Sequence, residues 1–205
     1  MSIGALRAPL LESRIGVLGG TGDQGRGLAL RLAMVGLEVT LGSRISDRAL
    51  AAAADLGHGI RGTDNATCAE QSDIVIVAVP YAGHADLLTA VAPSMTGKIL
   101  VDCVNPLGFD GEGPYALDVP EGSAAQQAAR LIPQAAVVGA FHNVSAALLL
   151  DTSIANIDTD VLVLGDDRTA TDMIQDLVAL IPGMRGIYGG RLRNARQVEA
   201  LTANL

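Results

Sequence analysis

The chain has 205 residues, 49% of them hydrophobic but only 2% aromatic, and a formal net charge of −8 at pH 7. That length suits one compact domain, or a nucleotide-binding domain with a small appended lobe, whose core must be built from Ala, Val, Leu and Ile. The acidic balance argues against nucleic acid and anionic membrane surfaces as partners, since both need a basic field, and no apolar stretch reaches the ~18 residues of a membrane-spanning helix. Cys68 and Cys103 are lone thiols far apart in sequence, so neither a disulfide framework nor a zinc site has support. The remaining class is small-molecule chemistry.

Residues 1–13 (MSIGALRAPLLES) read as an N-terminal extension with one Arg, a broken apolar run and no cleavage site, and a cytoplasmic protein is expected. The apolar run RIGVLG (14–19) ends in glycines and predicts a buried strand, followed by a helix from about Gln24 to Val35 closed by Gly36. LEVTLG is a second strand; Ser46 is expected to cap a helix running to Leu56, and a strand near Ile60 leads to a short helix over 65–70. DIVIVAVP (73–80) is apolar at every position between Asp73 and Pro80, which predicts a central strand covered on both faces. A helix over 83–92, the strand KILVDCVNP, a Gly- and Pro-rich loop (107–122), a helix over 123–132 and the strand AAVVGAFHN continue the alternation. Strands alternating with helices predict an α/β, Rossmann-like, doubly wound parallel sheet with right-handed crossovers. After Ser145 the pattern loosens into a strand (DVLVLGDD), a helix (TATDMIQDLVALIPG), a short strand near RGIYGG and a last helix from Asn194. Residues 14–145 are therefore expected to form the nucleotide-binding domain and 146–205 a small C-terminal α/β lobe; the pattern stops at Leu205 without a cap signal, and the natural chain is expected to run further.

Gly20, Gly22 and Gly25 make G-x-G-x-x-G. The same pattern recurs in GHGIRG (Gly57, Gly59, Gly62), but there it follows a helix and reads as loop chemistry. The first match stands between an apolar strand and a helix, where glycines allow a tight turn, a close approach to a pyrophosphate and close packing of helix on strand, while the helix amino end attracts the anion. Gly20, Thr21, Gly22, Asp23 and Gln24 are the expected cofactor loop, with Asp23 facing outward. At the carboxyl end of the second strand, where an NAD site usually places an acid, stand Ser43 and Arg44; Glu38 is at the other end. A guanidinium and a hydroxyl fit a ribose 2′-phosphate, Thr21 and Arg48 add donors, and NADP is favoured over NAD. The bland alternative for Arg44 is a solvated surface arginine.

In such a sheet the second ligand sits beyond the carboxyl ends of later strands. There Val79 and Pro80 offer a flat wall, Asn105, Pro106 and Asn143 supply amides and shape, and His142 is the best placed titratable group, balanced between a ligand contact and a satisfied core histidine. His58 reads as a loop residue, His84 as structural or orienting, and Asp102 as a structural hydrogen-bonding group. Tyr81, Tyr115 and Tyr188 are too scattered to assign; NIDTD fails as a calcium loop because Val161 stands where glycine is needed; and Arg185, Arg191, Arg193 and Arg196 could face an anion or solvent.

Taken in order, IGVLGGTGDQGRGLALRLAMVGLEVTLGSR, DIVIVAVP, VDCVNPLGF, VGAFHNVSA, DVLVLGDD and GRLRNARQVEALT resemble the NADPH-dependent deazaflavin (coenzyme F-420) reductases, with partial likeness to metalloreductase cytosolic domains and pyrroline-carboxylate reductases. The resemblance implies reversible hydride transfer between nicotinamide carbon 4 and deazaflavin carbon 5 in a homodimer. It places Thr21, Ser43 and Arg44 at the 2′-phosphate, Gly20 and Gly22 at the pyrophosphate and His142 at the rings, His142 orienting rather than serving as an obligatory acid. No metal is implied. The leader of 13 residues and the end at Leu205 depart from the family pattern. Hydride passes directly between flat rings ~3 to 3.5 Å apart, so alignment is most of the catalysis. Competing expectations are an NADPH-dependent reductase of a flavin, imine or quinone, and a non-catalytic NADP(H) sensor.

Overall fold

The computed structural model describes residues 10–205; the first nine residues of the expected extension lie outside the described residues. In chain order the first half comprises β1 (Arg14–Leu18), α1 (Asp23–Met34), β2 (Glu38–Ser43), α2 (Ser46–Leu56), β3 (Arg61–Asp64), α3 (Asn65–Gln71), β4 (Ile74–Val77), α4 (His84–Val91) and β5 (Ile99–Asp102). The second half comprises β6 (Leu107–Asp110), β7 (Gly113–Ala116), α5 (Ala124–Leu131), β8 (Ala136–Gly139), α6 (Ala146–Leu150), β9 (Thr159–Gly165), α7 (Arg168–Leu180), β10 (Met184–Gly190) and α8 (Ala195–Leu201).

Eight strands form one sheet in the order β10-β9-β8-β5-β4-β1-β2-β3. All neighbours are parallel except β8 and β9, which pair antiparallel. The order reverses between β1 and β4, and that switch point is where a doubly wound sheet opens a crevice at its carboxyl edge. The expected α/β make-up of residues 146–205 is present, and its two strands, β9 and β10, extend this same sheet.

The all-apolar β4 behaves as its composition demands. Its side chains alternate between the two faces, Ile74 and Ile76 entering one core cluster with α1, α2 and α7, Val75 and Val77 the other with α3, α4 and α5. With so few aromatics, Phe141 is the largest fully buried side chain.

Two local expectations are corrected. Residues 107–122 contain the hairpin β6–β7, closed by the two-residue turn Gly111–Glu112, in which the Asp110 carboxylate accepts the Glu112 amide at 2.8 Å. The Gly and Pro content that suggests a loop is the turn and its flanks. Ser46 is the first residue of α2 rather than its cap, since Ile45 occupies the cap position and Ser43 Oγ accepts the Ile45 amide at 3.3 Å. The caps Asp64, Ser123, Ser145 and Asp167 do bond the first turns of α3, α5, α6 and α7.

Buried Arg31 bolts α1 to the end of α6. Its guanidinium donates to four backbone carbonyls, those of Leu149 (2.7 Å), Ile154 (2.8 Å), Leu148 (2.8 Å) and Asp151 (2.6 Å). It thereby satisfies carbonyls of the last turn of a short helix and of the segment that follows it with a single cation. Replacing Arg31 by Met should lower unfolding free energy by about 3 kcal/mol, because these acceptors lose a charged donor; chemical denaturation at constant m-value is the measurement.

Candidate active site

At the end of β1 the chain turns at Gly19 with φ +70, and a Cβ there would stand 2.3 Å from Val79 Cγ1 and 2.7 Å from the Ala78 carbonyl. Only glycine meets both conditions. Gly20 donates its amide to Gly42 O at 3.1 Å, and its missing Cβ lets it lie against Leu41 and the Val17 carbonyl. A Cβ on Gly25 would fall 2.8 Å from Gly20 Cα, so the first turn of α1 is packed directly on the loop. Gly22 differs: its open side meets nothing nearer than the Gly19 carbonyl at 3.9 Å. It occupies the N-cap position of α1 without a side-chain cap, and no acceptor among the described residues meets the amides of Asp23, Gln24 or Gly25. Three free N–H groups on the positive end of a helix beside an open backbone surface are what a pyrophosphate requires. The residue that makes the turn, Gly19, lies outside the G-x-G-x-x-G spacing; its signal is the doublet Gly19–Gly20 at the end of the apolar run.

The neighbouring electrostatics are selective. Arg26 pairs with Asp55, and at the amino edge of the strands Arg14 and Arg61 pair with Asp73 and Glu38. Arg44 and Arg48 are exposed, and no acceptor among the described residues meets either guanidinium. Ser43, buried at the end of β2, and half-buried Thr21 in the loop bring hydroxyls to the same region. Two unneutralised cations near a helix amino end favour an anion there, and Glu38, held by Arg61, is at the far end of β2. Asp23 is exposed, as expected.

Beyond β5 and β8 the other predicted residues assemble. Asn105 Nδ2 donates to the His142 carbonyl at 3.0 Å, while Asn105 Oδ1 and both ring nitrogens of His142 are buried without a partner among the described residues. His142 is 6% exposed. Burial pushes its imidazole down to about 4, against a smaller upward pull from the Asp102 charge, so the ring is neutral at pH 7. Buried polar atoms without partners are uncommon in native proteins, and here three belong to two residues joined by a hydrogen bond. The residue before them, Phe141, has φ +64 and is fully buried, and Gln24 Nε2 donates to its carbonyl at 3.3 Å. The cofactor helix and the His142 segment are thus joined directly. Val79 is half-buried, Pro80 exposed and Pro106 buried. Asn143 is exposed, and its amide donates to the Asp160 carbonyl at 3.0 Å, fastening the segment to β9.

Arg191 and Arg193 are exposed and, like Arg44 and Arg48, meet no acceptor among the described residues, whereas other candidates are accounted for locally. Arg185 pairs with Asp158 and Asp160, which ties up two acids of NIDTD, and Arg196 pairs with Asp118. His58 sits in its loop at φ 53. His84 and Asp102, assessed singly in the sequence, form a buried pair, and Glu199 is a buried acid that no motif pointed to. Its carboxylate accepts the Ala124 and Ala125 amides at 2.8 and 3.1 Å, capping α5 from α8. Burial nonetheless pushes it up to about 7, those two bonds opposing.

Comparison with known proteins decides the family. A family model described as NADP oxidoreductase, coenzyme F420-dependent, matches residues 14–106. The F420-dependent NADP reductase of Methanothermobacter marburgensis is 39% identical over 200 residues, covering 92% of this chain and 89% of that one. The chain belongs to the F420-dependent NADP reductases. A second member, from Methanocaldococcus jannaschii, is 36% identical over 200 residues with the same coverage. A crystal structure from Arthrobacter sp. FB24, itself provisionally named a reductase of this family, superposes with a TM-score of 0.80 at 31% identity, covering 93% of this chain and 90% of that one. As a member of this family the chain is an NADP-dependent oxidoreductase. Among the described residues no helix is long and apolar enough to cross a membrane.

Two predictions follow from this geometry. Gly19→Ala should abolish NADP(H) binding and lower the melting temperature, because the added carbon collides with Val79 and φ is unfavourable; dinucleotide titration and thermal unfolding read both. The second concerns pH. His142 is depressed in the folded state, so as pH falls from its unfolded value of 6.5 to about 4 the unfolded chain takes up a proton that the folded chain refuses, and stability drops by about 3 kcal/mol from this group. Glu199 is raised to about 7 from 4.5, so over that window its contribution runs the other way, stability rising as pH falls. Glu199→Gln should therefore steepen the acid-side loss and His142→Ala should flatten it, in denaturant midpoints measured from neutral to mildly acid pH.

Proposed function

We propose that this chain transfers a hydride reversibly between NADP(H) and the deazaflavin coenzyme F-420, with residues 14–145 binding the dinucleotide and residues 146–205 completing the second pocket. The observation that carries the cofactor choice is the pair of unpaired guanidiniums, Arg44 and Arg48, at the end of β2 beside the free amides of α1. The names of the relatives support the acceptor.

Bound NADPH would supply the hydride; the chain's own work is to hold, align and exclude. Gly20, Gly22 and the amides of Asp23 and Gln24 receive the pyrophosphate, and Thr21, Ser43, Arg44 and Arg48 receive the 2′-phosphate. Val79 and Pro80 wall the nicotinamide end. Asn105, Pro106, His142 and Asn143 shape the adjoining pocket, where the partnerless atoms of Asn105 and His142 await a polar ring edge. A neutral imidazole at pH 7 suits His142 as an orienter that offers one donor and one acceptor, the deazaflavin's ring proton exchanging with solvent. A homodimer fits the hairpin β6–β7, which exposes Phe109 and Tyr115, one of the chain's two phenylalanines and one of its three tyrosines. We place the protein in the cytoplasm, where reduced nicotinamide pools are kept.

Mixing the protein with NADPH and oxidised F-420 should bleach the deazaflavin chromophore, whereas flavin should stay oxidised; tight NADP(H) binding with neither chromophore bleached would overturn the proposal. Arg44→Asp should weaken NADPH binding about 10- to 100-fold, the scale of a charged hydrogen bond, and leave NADH binding nearly unchanged. An equal loss for both would remove Arg44 from the 2′-phosphate site. His142→Ala should lower turnover in the same assay, and native kinetics would remove it from the pocket.

A further inference from the structure

Behind His142 lies a set of buried polar side chains that the hydride transfer leaves without a task. Asp102, the last residue of β5, and His84, the first of α4, are both fully buried, with His84 Nε2 2.6 Å from Asp102 Oδ2. The other ring nitrogen, Nδ1, is 2.9 Å from Gln127 Oε1. The Gln127 amide is oriented by Glu121, whose carboxylate accepts from Gln127 Nε2 at 3.2 Å, so its oxygen faces His84. A carboxylate and an amide oxygen are both acceptors, and each imidazole nitrogen must therefore carry a hydrogen. His84 is an imidazolium opposite a carboxylate. Burial alone would drag the imidazole down; attraction to Asp102 and the bonds from Asp102 and Gln127 outweigh it, and the balance lies above the ordinary value. Two charges removed from water are a poor way to stabilise a fold, since apolar residues of the same volume do as well or better.

What the pair holds is the segment under the second pocket. Asp102 Oδ1 accepts the Val104 amide at 3.0 Å, and the Asp102 carbonyl accepts the Ala140 amide at 3.0 Å, tying the chain after β5 to the chain after β8. One residue beyond Val104, Asn105 grips the His142 carbonyl. We propose that Asp102, held by His84, is a positioning residue for the second substrate, setting the 103–105 turn and, through Asn105, the place of His142. This inference rests on the hydride transfer proposed above.

A pH signature goes with it. When His84 loses a proton, one of its nitrogens becomes an acceptor facing an acceptor, and the charge attracting Asp102 is lost. The other groups facing it are few: Tyr81, bonded to Gln127; Glu121, also on Gln127; Glu199 from α8; Cys103 next in sequence; and His142 itself. Cys103 is held as the thiol by burial and His142 is already neutral near pH 7, so on the alkaline side Glu199, already near its own midpoint, and His84 are the groups left to titrate. The sign for His84 is that of a raised base: the paired state is present at lower pH and lost as pH rises through its folded pKa.

Steady-state rates with NADPH and F-420 across the neutral and alkaline range test the assignment on the native chain and two variants. Asp102→Ala, which drops both bonds, should raise KM for F-420 about tenfold or more while NADPH affinity stays native. Asp102→Asn keeps an acceptor for Val104 and can donate to a neutral His84; it should restore KM towards native and lose the alkaline fall in kcat/KM. Should Asp102→Ala fail to fold, the Asp102→Asn profile still decides. A native chain that moves no hydride between NADPH and F-420 removes the proposed function and this inference with it. An active native chain whose Asp102→Asn variant keeps the alkaline fall, or whose Asp102→Ala variant loses NADPH affinity in proportion to F-420, removes this inference alone.

Discussion

Everything in this molecule hangs on how closely helix α1 is allowed to approach the sheet. Its first turn rests on Gly20 because Gly25 lacks a side chain, and the loop beneath it rests on the end of β4 because Gly19 does. A single methyl group at either place would lift the helix by more than the softness of the packing permits. That contact aims three unpaired amides at the switch point between β1 and β4. The same helix then reaches sideways, with Gln24 holding the Phe141 carbonyl and Arg31 gathering the carbonyls at the end of α6. One rigid rod therefore carries the unpaired amides at its tip and holds the Phe141 and α6 segments along its flank. Alignment of two flat partners needs such shared support, since independent loops would add their errors.

Much of this was legible in the sequence where a single local signal sufficed. The run of apolar residues between Asp73 and Pro80 identified the central strand because a parallel strand covered on both faces has no polar positions to interrupt it. Arg44 stood out because an acid is the ordinary occupant of that strand end. His142 and Asn105 were found as polar residues at the ends of apolar strands, and the structure brings them together. What escaped depends on pairs distant in the chain. His84 and Asp102 are 18 residues apart and each looked bland alone; their meaning lies in the 2.6 Å between them. Glu199 reaches amides some 75 residues earlier, which no periodicity encodes. The hairpin β6–β7 was hidden by its own turn residues, because strands of four residues leave too little alternation to outweigh Gly and Pro.

The buried polar groups sort into those with every bond made and those with bonds left over. Around Asp102 and His84 each donor meets an acceptor, as expected where a low dielectric penalises any omission. At Asn105 and His142 three atoms remain without partners. The two sets are adjacent, linked through the short stretch from Asp102 to Asn105.

The reversal of direction between β8 and β9 has an effect on the economy of the chain. A parallel continuation would oblige the polypeptide to travel back to the opposite edge of the sheet before starting its next strand. Turning round instead lets the stretch between Gly139 and Thr159 carry α6, which packs on α1 through Leu149 against Gly27 and is held there by Arg31. The short return thus adds a second support for α1.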